Sequence, residues 1–508
     1  MKRIALWVAG AIVALLAIIG AALIVVDTDT GHRWVADRIG TIRTANGLRF
    51  TVGRIDGSLY SDTRLVDLNV YDLDGLVFAA PTVALDWSPF NWARNRLDID
   101  RLAVPTATLF HQPRTKKSAK RGAILPDFDI HIGSLSIERL VLAKPVLGTQ
   151  RIARLIGAAD IRSGRAMVKI DGLVEGSDHI HLAIDAEPDR DRFDIDVAAK
   201  GARGGLLSTM TGIARDLDLA VTGDGRWARW RGTAKAVAGT EQALDVALAA
   251  DAGRYTLSGT IAPAPYLKGK LQRMTTPRVL VNGSATYANR RLDGTLALRS
   301  AALNVETTGE IDFAANAYRN VRIKARLLRP ASLFPNMSGR DIELRAILDG
   351  AFATAAFDYR IDAARFAFDK TGFENAHLVG KGRLSKSPVI VPARFVAARV
   401  TGVGDIAGGI LRNISVEGVL RVTPTMLTGD DLRLKSDKLT GRINLTLDLR
   451  TGKFEVGVNG ALGRYLIPGL GIVDVTSQLR VVPGPGGKGT RVVGEGRAQM
   501  VRLDNAFF

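Results

Sequence analysis

The sequence predicts a mainly β protein behind a single membrane-spanning helix. Three observations predict it. Ile4 to Val26 is an uncharged apolar run of 23 residues, and no later run approaches that length. Behind it, apolar residues recur with a period of two through most of the 508 residues. Glycine numbers 53 while aromatic residues make up only 6%, the balance of a turn-rich strand protein and not of an enzyme with an aromatic core.

The elements follow in chain order. As a helix, 4–26 would extend about 34 Å, enough to cross a hydrocarbon core of ~30 Å. Lys2 and Arg3 precede it and Asp27 and Asp29 end it, which predicts a cytoplasmic N-terminus and an extracytoplasmic body. A cleaved signal peptide is the competing reading; its apolar region is usually ~7–15 residues, so an uncleaved anchor is expected. Val35, Ile39 and Ile42 lie at i, i+4 and i+7, with Asp29 or Thr30 as N-cap and Asn46-Gly47 as the stop, giving a short amphipathic helix. A second short helix is expected between Gly204 and Arg215.

Elsewhere the pattern is that of strands. Leu445, Leu447 and Leu449 alternate with polar residues, Arg450 to Lys453 reads as a turn, and Phe454, Val456 and Val458 alternate again: a hairpin with one apolar face. Leu244/Val246/Leu248, Tyr255/Leu257, Leu296/Leu298, Leu303/Val305, Ile311/Phe313 and Phe193/Ile195/Val197 repeat the pattern, with Asp251 to Gly253 and Asp293-Gly294 as turn signals. The expected segments are a cytoplasmic tip and anchor at 1–27, a helix and first β segment at 28–113, a basic linker at 114–126 between Pro113 and Pro126, and a long β body at 127–508.

A long sheet with one apolar face and few helices to cover it must fold on itself, as sandwiches, as a solenoid or as an elongated trough. An apolar trough anchored in a membrane would be a path for phospholipid acyl chains, lined by Leu296, Leu298, Leu445, Leu447, Leu449, Phe454, Val456 and Val458. Burying a tail of roughly sixteen carbons gains on the order of 10 kcal/mol over water.

No chemistry is visible beside that path. Cysteine is absent, which removes disulfides, thiolate metal sites and a thiol nucleophile. His179 and His181 share a strand face, but the polar outer face of a strand explains them better than a metal pair does. His32, His111, His131 and His377 are scattered. The stretch Gly484 to Thr490 departs from a phosphate loop, since Gly489 follows Lys488. Gly402-Val-Gly404 lacks the third glycine of a dinucleotide site. Asp189/Asp191 and Asp430/Asp431 stand in turn-like contexts. The net charge of +18 is spread along the chain, so no nucleic-acid partner is expected. The expectation is a non-enzymatic protein without metal or cofactor. The competing readings are a secreted or surface structural β protein, and a periplasmic enzyme with a dispersed site.

Several segments together resemble the TamB family, envelope proteins related to the AsmA-like proteins. They are Gly47 to Leu59, Leu65 to Val70, Asp72 to Gly75, Leu85 to Pro89, Arg96 to Leu102, Gly204 to Leu207, Gly223 to Trp227, Leu327 to Pro330 and Leu466 to Val475. The resemblance implies an inner-membrane signal anchor and a β-taco, an elongated β groove that reaches across the periplasm. It implies transport of phospholipid between the inner and outer membranes, support of outer-membrane protein assembly such as that of autotransporters, or both. It also implies an outer-membrane barrel-assembly-type partner, TamA. The family's chains are usually longer, so this chain is expected to be an N-terminal fragment that lacks the TamA-binding region.

Overall fold

A computed structural model describes residues 25–41, 43–44, 47–114, 128–187, 192–226, 228–403, 410–467, 471–483 and 490–503. Strands make up 69% of it and helices 10%, so the chain is mainly β. The expected span 4–26 lies outside the described residues except for its last two. So do most of the basic stretch, Asp189 and Asp191, the glycine-rich loop 484–489, Gly404 and the last five residues. Among the described residues no helix is long and apolar enough to cross a membrane. The chain divides into two compact units, Met1–Gln242 and Ala243–Phe508.

The first unit opens with the helix Asp29–Thr41, whose Ala36 packs with Val52, Ile55 and Leu59. The expected caps, Asp29 and Thr30, are inside the helix. Thr28 caps it instead: its Oγ1 accepts from the Gly31 N–H at 3.4 Å and its carbonyl from the His32 N–H at 2.8 Å. Thr28 is the residue before the first helical turn, where those N–H groups point. Strands then run antiparallel from Asp62–Tyr71 to Arg229–Ala238, with one exception. Arg96–Leu109 and Asp129–Leu142 pair in parallel. A parallel pair needs a crossover of a dozen or more residues, and the 19 residues 110–128 supply it.

The second unit is an antiparallel meander from Glu241–Asp251 to Thr490–Leu503, except that Ala317–Leu327 pairs with Ile342–Ala351 and the short strand Met337–Arg340 pairs with Ala356–Phe368. The turn expected at Asp251 to Gly253 forms there, with Ala252 and Gly253 at φ +49° and +82°. The one expected at Asp293-Gly294 does not. Asn289 and Arg290, at φ +50° and +62°, make that turn, and Gly294 sits mid-strand in Arg291–Arg299. A Cβ at Gly294 would stand 2.4 Å from the Ser284 carbonyl oxygen, so the glycine permits close strand approach. Asp430 and Asp431 also lie within a strand, Met426–Lys435, at a register shift and not at a turn.

The predicted hairpin is present as Leu439–Asp448 with Phe454–Ile467. Leu445 faces Val456, and Leu447 faces Phe454. Leu449 falls outside the strand. It lies in the turn, where its N–H reaches the Thr425 carbonyl at 2.8 Å.

Candidate functional site

Residues opposite one another in a sheet point to the same face, and their chain neighbours point to the other. In the second unit one line of partners runs Val281, Leu298, Val305, Ala325, Leu344, Ile361, Leu378, Phe395, Val416 and Leu434. Every member is apolar. The line one residue away runs Arg299, Asn304, Arg326, Glu343, Asp362, His377, Val396, Ser415 and Lys435, and only Val396 in it is apolar. Ten strands at ~4.8 Å spacing carry the apolar line about 43 Å along the sheet. The first unit has the same contrast. Ile99, Ile132, Ala159, Val168, Ile184 and Ile195 form one line, and Asp98, His131, Asp160, Met167, Asp185 and Asp194 the next.

The apolar face in the second unit lies inside a curl. The rings of Phe368 and Phe454 are 5.9 Å apart although five strands separate their own. On a flat sheet those strands would be about 29 Å apart. The Asn336 amide also donates to the Gly452 carbonyl at 3.3 Å, across 116 residues. A Cβ on Gly452, at φ +74°, would stand 2.5 Å from Asn336 Oδ1. Six steps of right-handed twist at 20–25° sum to roughly 120–150°, which brings opposite strand ends together. Phe366, Phe373 and Phe395 pack at the same place, with centroids 4.9–6.3 Å apart.

Of the residues expected to line a trough, Leu296, Leu298, Leu445, Leu447, Phe454, Val456 and Val458 fall on this face, and Leu449 lies in the turn. Val281 and Leu434 are buried. Leu298, Leu445, Leu447, Phe454, Val456 and Val458 are half-buried, and Leu296 is 38% exposed. Leu445, Val456 and Val458 pack on Leu420, Leu432, Leu439 and Ile443. Tyr359 brings a hydroxyl to this face, which donates to the Pro392 carbonyl at 3.0 Å. Burial pushes its phenol up to about 12, so it stays neutral at physiological pH.

In each unit the opposite face carries a lattice of ion pairs. His181 Nδ1 lies 2.6 Å from Asp171, on the polar face expected for it, and His179 is exposed there. His377 Nδ1 lies 2.5 Å from Asp362. The parallel pairing brings one group together that spacing did not reveal: ligand atoms of Asp98, Asp100 and His131 lie within 4.8 Å of one another. Asp98 already accepts from Asn91 at 2.8 Å and Arg96 at 3.2 Å, which makes it a member of the polar lattice.

A different polar group ties down the N-terminal helix. Asp27 Oδ1 accepts from the Leu59 N–H at 2.6 Å and Oδ2 from the Ser58 hydroxyl at 2.8 Å. The buried His32 lies 3.3 Å from Asp27 through Nε2 and 3.1 Å from the Ile55 carbonyl through Nδ1. Burial works to raise the Asp27 pKa, but the hydrogen bonds from Leu59, Ser58 and His32 outweigh it and hold it below the ordinary 3.8. A depressed carboxyl contributes stability above its unfolded value and loses it as pH falls through the folded one. Protection of the Asp29–Thr41 amides, their exchange measured against the intrinsic rate at each pH, should therefore be high at neutral pH and fall as pH drops below 3.8. In Asp27→Asn protection should be low throughout, and wild-type protection that is unchanged in acid would contradict this.

No family model, curated protein or solved structure matches the chain.

Proposed function

We propose that the protein is held in a membrane by residues 4–26 and carries phospholipid acyl chains along the apolar face of its sheet. The observation that supports this most directly is the unbroken apolar line from Val281 to Leu434, on the inside of the curl joined by Phe368 and Phe454. A face of half-buried Leu, Val, Ile and Phe is costly against water and favourable against hydrocarbon. The adjacent polar line stays outside, so a lipid can lay its tails on one side while the protein stays soluble on the other. The resemblance to the TamB family agrees with this reading and extends it to transfer between inner and outer membranes. There the same face would also shelter strands of outer-membrane proteins, with TamA as the outer-membrane partner.

Photoreactive residues test it. Placed at Leu445 or Leu447 in the full chain in native membranes, they should crosslink to acyl chains, and at Thr446 they should not. Equal labelling at both faces would overturn the reading. Protein adducts in place of lipid at Leu445 would favour the strand-sheltering role.

A further inference from the structure

The segment where the chain leaves the apolar run carries exposed aromatic side chains that the sheet does not use. Trp34 is 63% exposed and Phe90 58%. Trp34 is on the face of the Asp29–Thr41 helix opposite the buried His32 and Ala36, in company with exposed Arg33 and Arg38. Phe90, in the 3-10 turn Pro89–Arg94, stacks on Tyr60 with centroids 5.3 Å apart and planes at 16°. Tyr60 follows Leu59, whose N–H is held by Asp27. Asp27 is the first residue after the apolar run. One carboxylate thus fastens the exit of that run to the Ser58–Leu59 turn, beside which the aromatic pair stands.

We propose that Trp34, Tyr60 and Phe90, with Arg33 and Arg38, form a collar that rests in the headgroup layer of the bilayer crossed by residues 4–26. The inference rests on the anchoring reading above. Aromatic rings with a polar edge favour the membrane interface, and arginine side chains there reach phosphate. The distances allow it. Trp34 is seven residues beyond Asp27, about 10 Å along a helix axis, while the interfacial layer is roughly 5–8 Å deep on each side. The helix must therefore lean toward the membrane plane, and the break in helix at Asp27 and Thr28 permits that. The collar would fix the body's orientation at the membrane and bring its first strands to the lipid surface.

The chain has no cysteine, so single-cysteine variants carry one label each. Spin labels at Trp34→Cys, Phe90→Cys, Ala14→Cys and Val419→Cys would be read in the full chain, in vesicles of phosphatidylethanolamine and phosphatidylglycerol. Accessibility to oxygen and to a nickel chelate reports depth. The expected result is headgroup depth at positions 34 and 90, hydrocarbon depth at 14 and aqueous values at 419. Aqueous values at either 34 or 90, with 14 in hydrocarbon, would overturn the collar and leave the anchor standing. Aqueous values at 14 as well would overturn both.

Discussion

Leu298→Asp should abolish acyl-chain capture, while Thr295→Asp should leave it close to wild type. The two positions are on the same strand and three residues apart, but on opposite faces. Leu298 faces Val281 and Val305, in the middle of the apolar line. Thr295 faces Ser284 and Thr308 and is exposed. A carboxylate at 298 would meet either an acyl chain or the neighbouring valines. Desolvating an ionised group without a partner costs several kcal/mol, enough to lower lipid affinity at least about 100-fold. At 295 the same charge stays in water. Lipid recovered with the purified full-length protein, counted by mass spectrometry, reads the difference. Matching far-UV circular dichroism for the two variants separates loss of binding from loss of fold. Equal lipid content in both would remove the apolar face from the function.

The largest expected loss of stability is at a buried carboxylate of the first unit. Asp178 is fully buried. Its Oδ2 accepts from the Leu207 N–H at 2.8 Å, and its Oδ1 from the Ala202 N–H at 3.2 Å and the Ser177 hydroxyl at 3.0 Å. Leu207 is in the first turn of the helix Leu206–Thr211, whose own N-cap, Gly205, offers no side-chain bond. A strand residue thus supplies the cap that the helix lacks. Gly205 leaves room for it, since a Cβ there would stand 2.1 Å from Asp178 Oδ1. Asp178→Ala strands two half-buried N–H groups and leaves a cavity at a buried site, and should cost about 3 kcal/mol. Thermal unfolding of the first unit should fall by roughly 6–12 °C. Gly205→Ala should be comparably harmful, through displacement of the carboxylate. An unchanged melting temperature in Asp178→Ala would show that the helix does not depend on this contact.

These residues mark where sequence reasoning reached and where it stopped. The alternation Leu445, Leu447 and Phe454, Val456, Val458 placed both strands of a hairpin and its apolar face, because side-chain direction in a strand follows from a period of two and needs no partner. The same rule failed at Leu449, where chain reversal overrides the alternation, and the turn signal failed at Asp293-Gly294. A strand glycine and a turn glycine are alike in sequence, and only the approach of the Ser284 carbonyl separates them. The capping role of Asp178 left no local signal, because the backbone N–H groups it holds lie 24 and 29 residues away.

By itself the sequence determined the strand content, the sidedness of the strands and the absence of cysteine chemistry, since each depends on residue type and near neighbours. Tertiary structure alone decided which strands meet. It paired Arg96–Leu109 with Asp129–Leu142 in parallel. It gathered Asp98, Asp100 and His131, and it carried Phe368 to Phe454 across five strands. Those outcomes come from register and from twist summed over many strands. Both are set by backbone pairing between distant segments, and no window of sequence contains them.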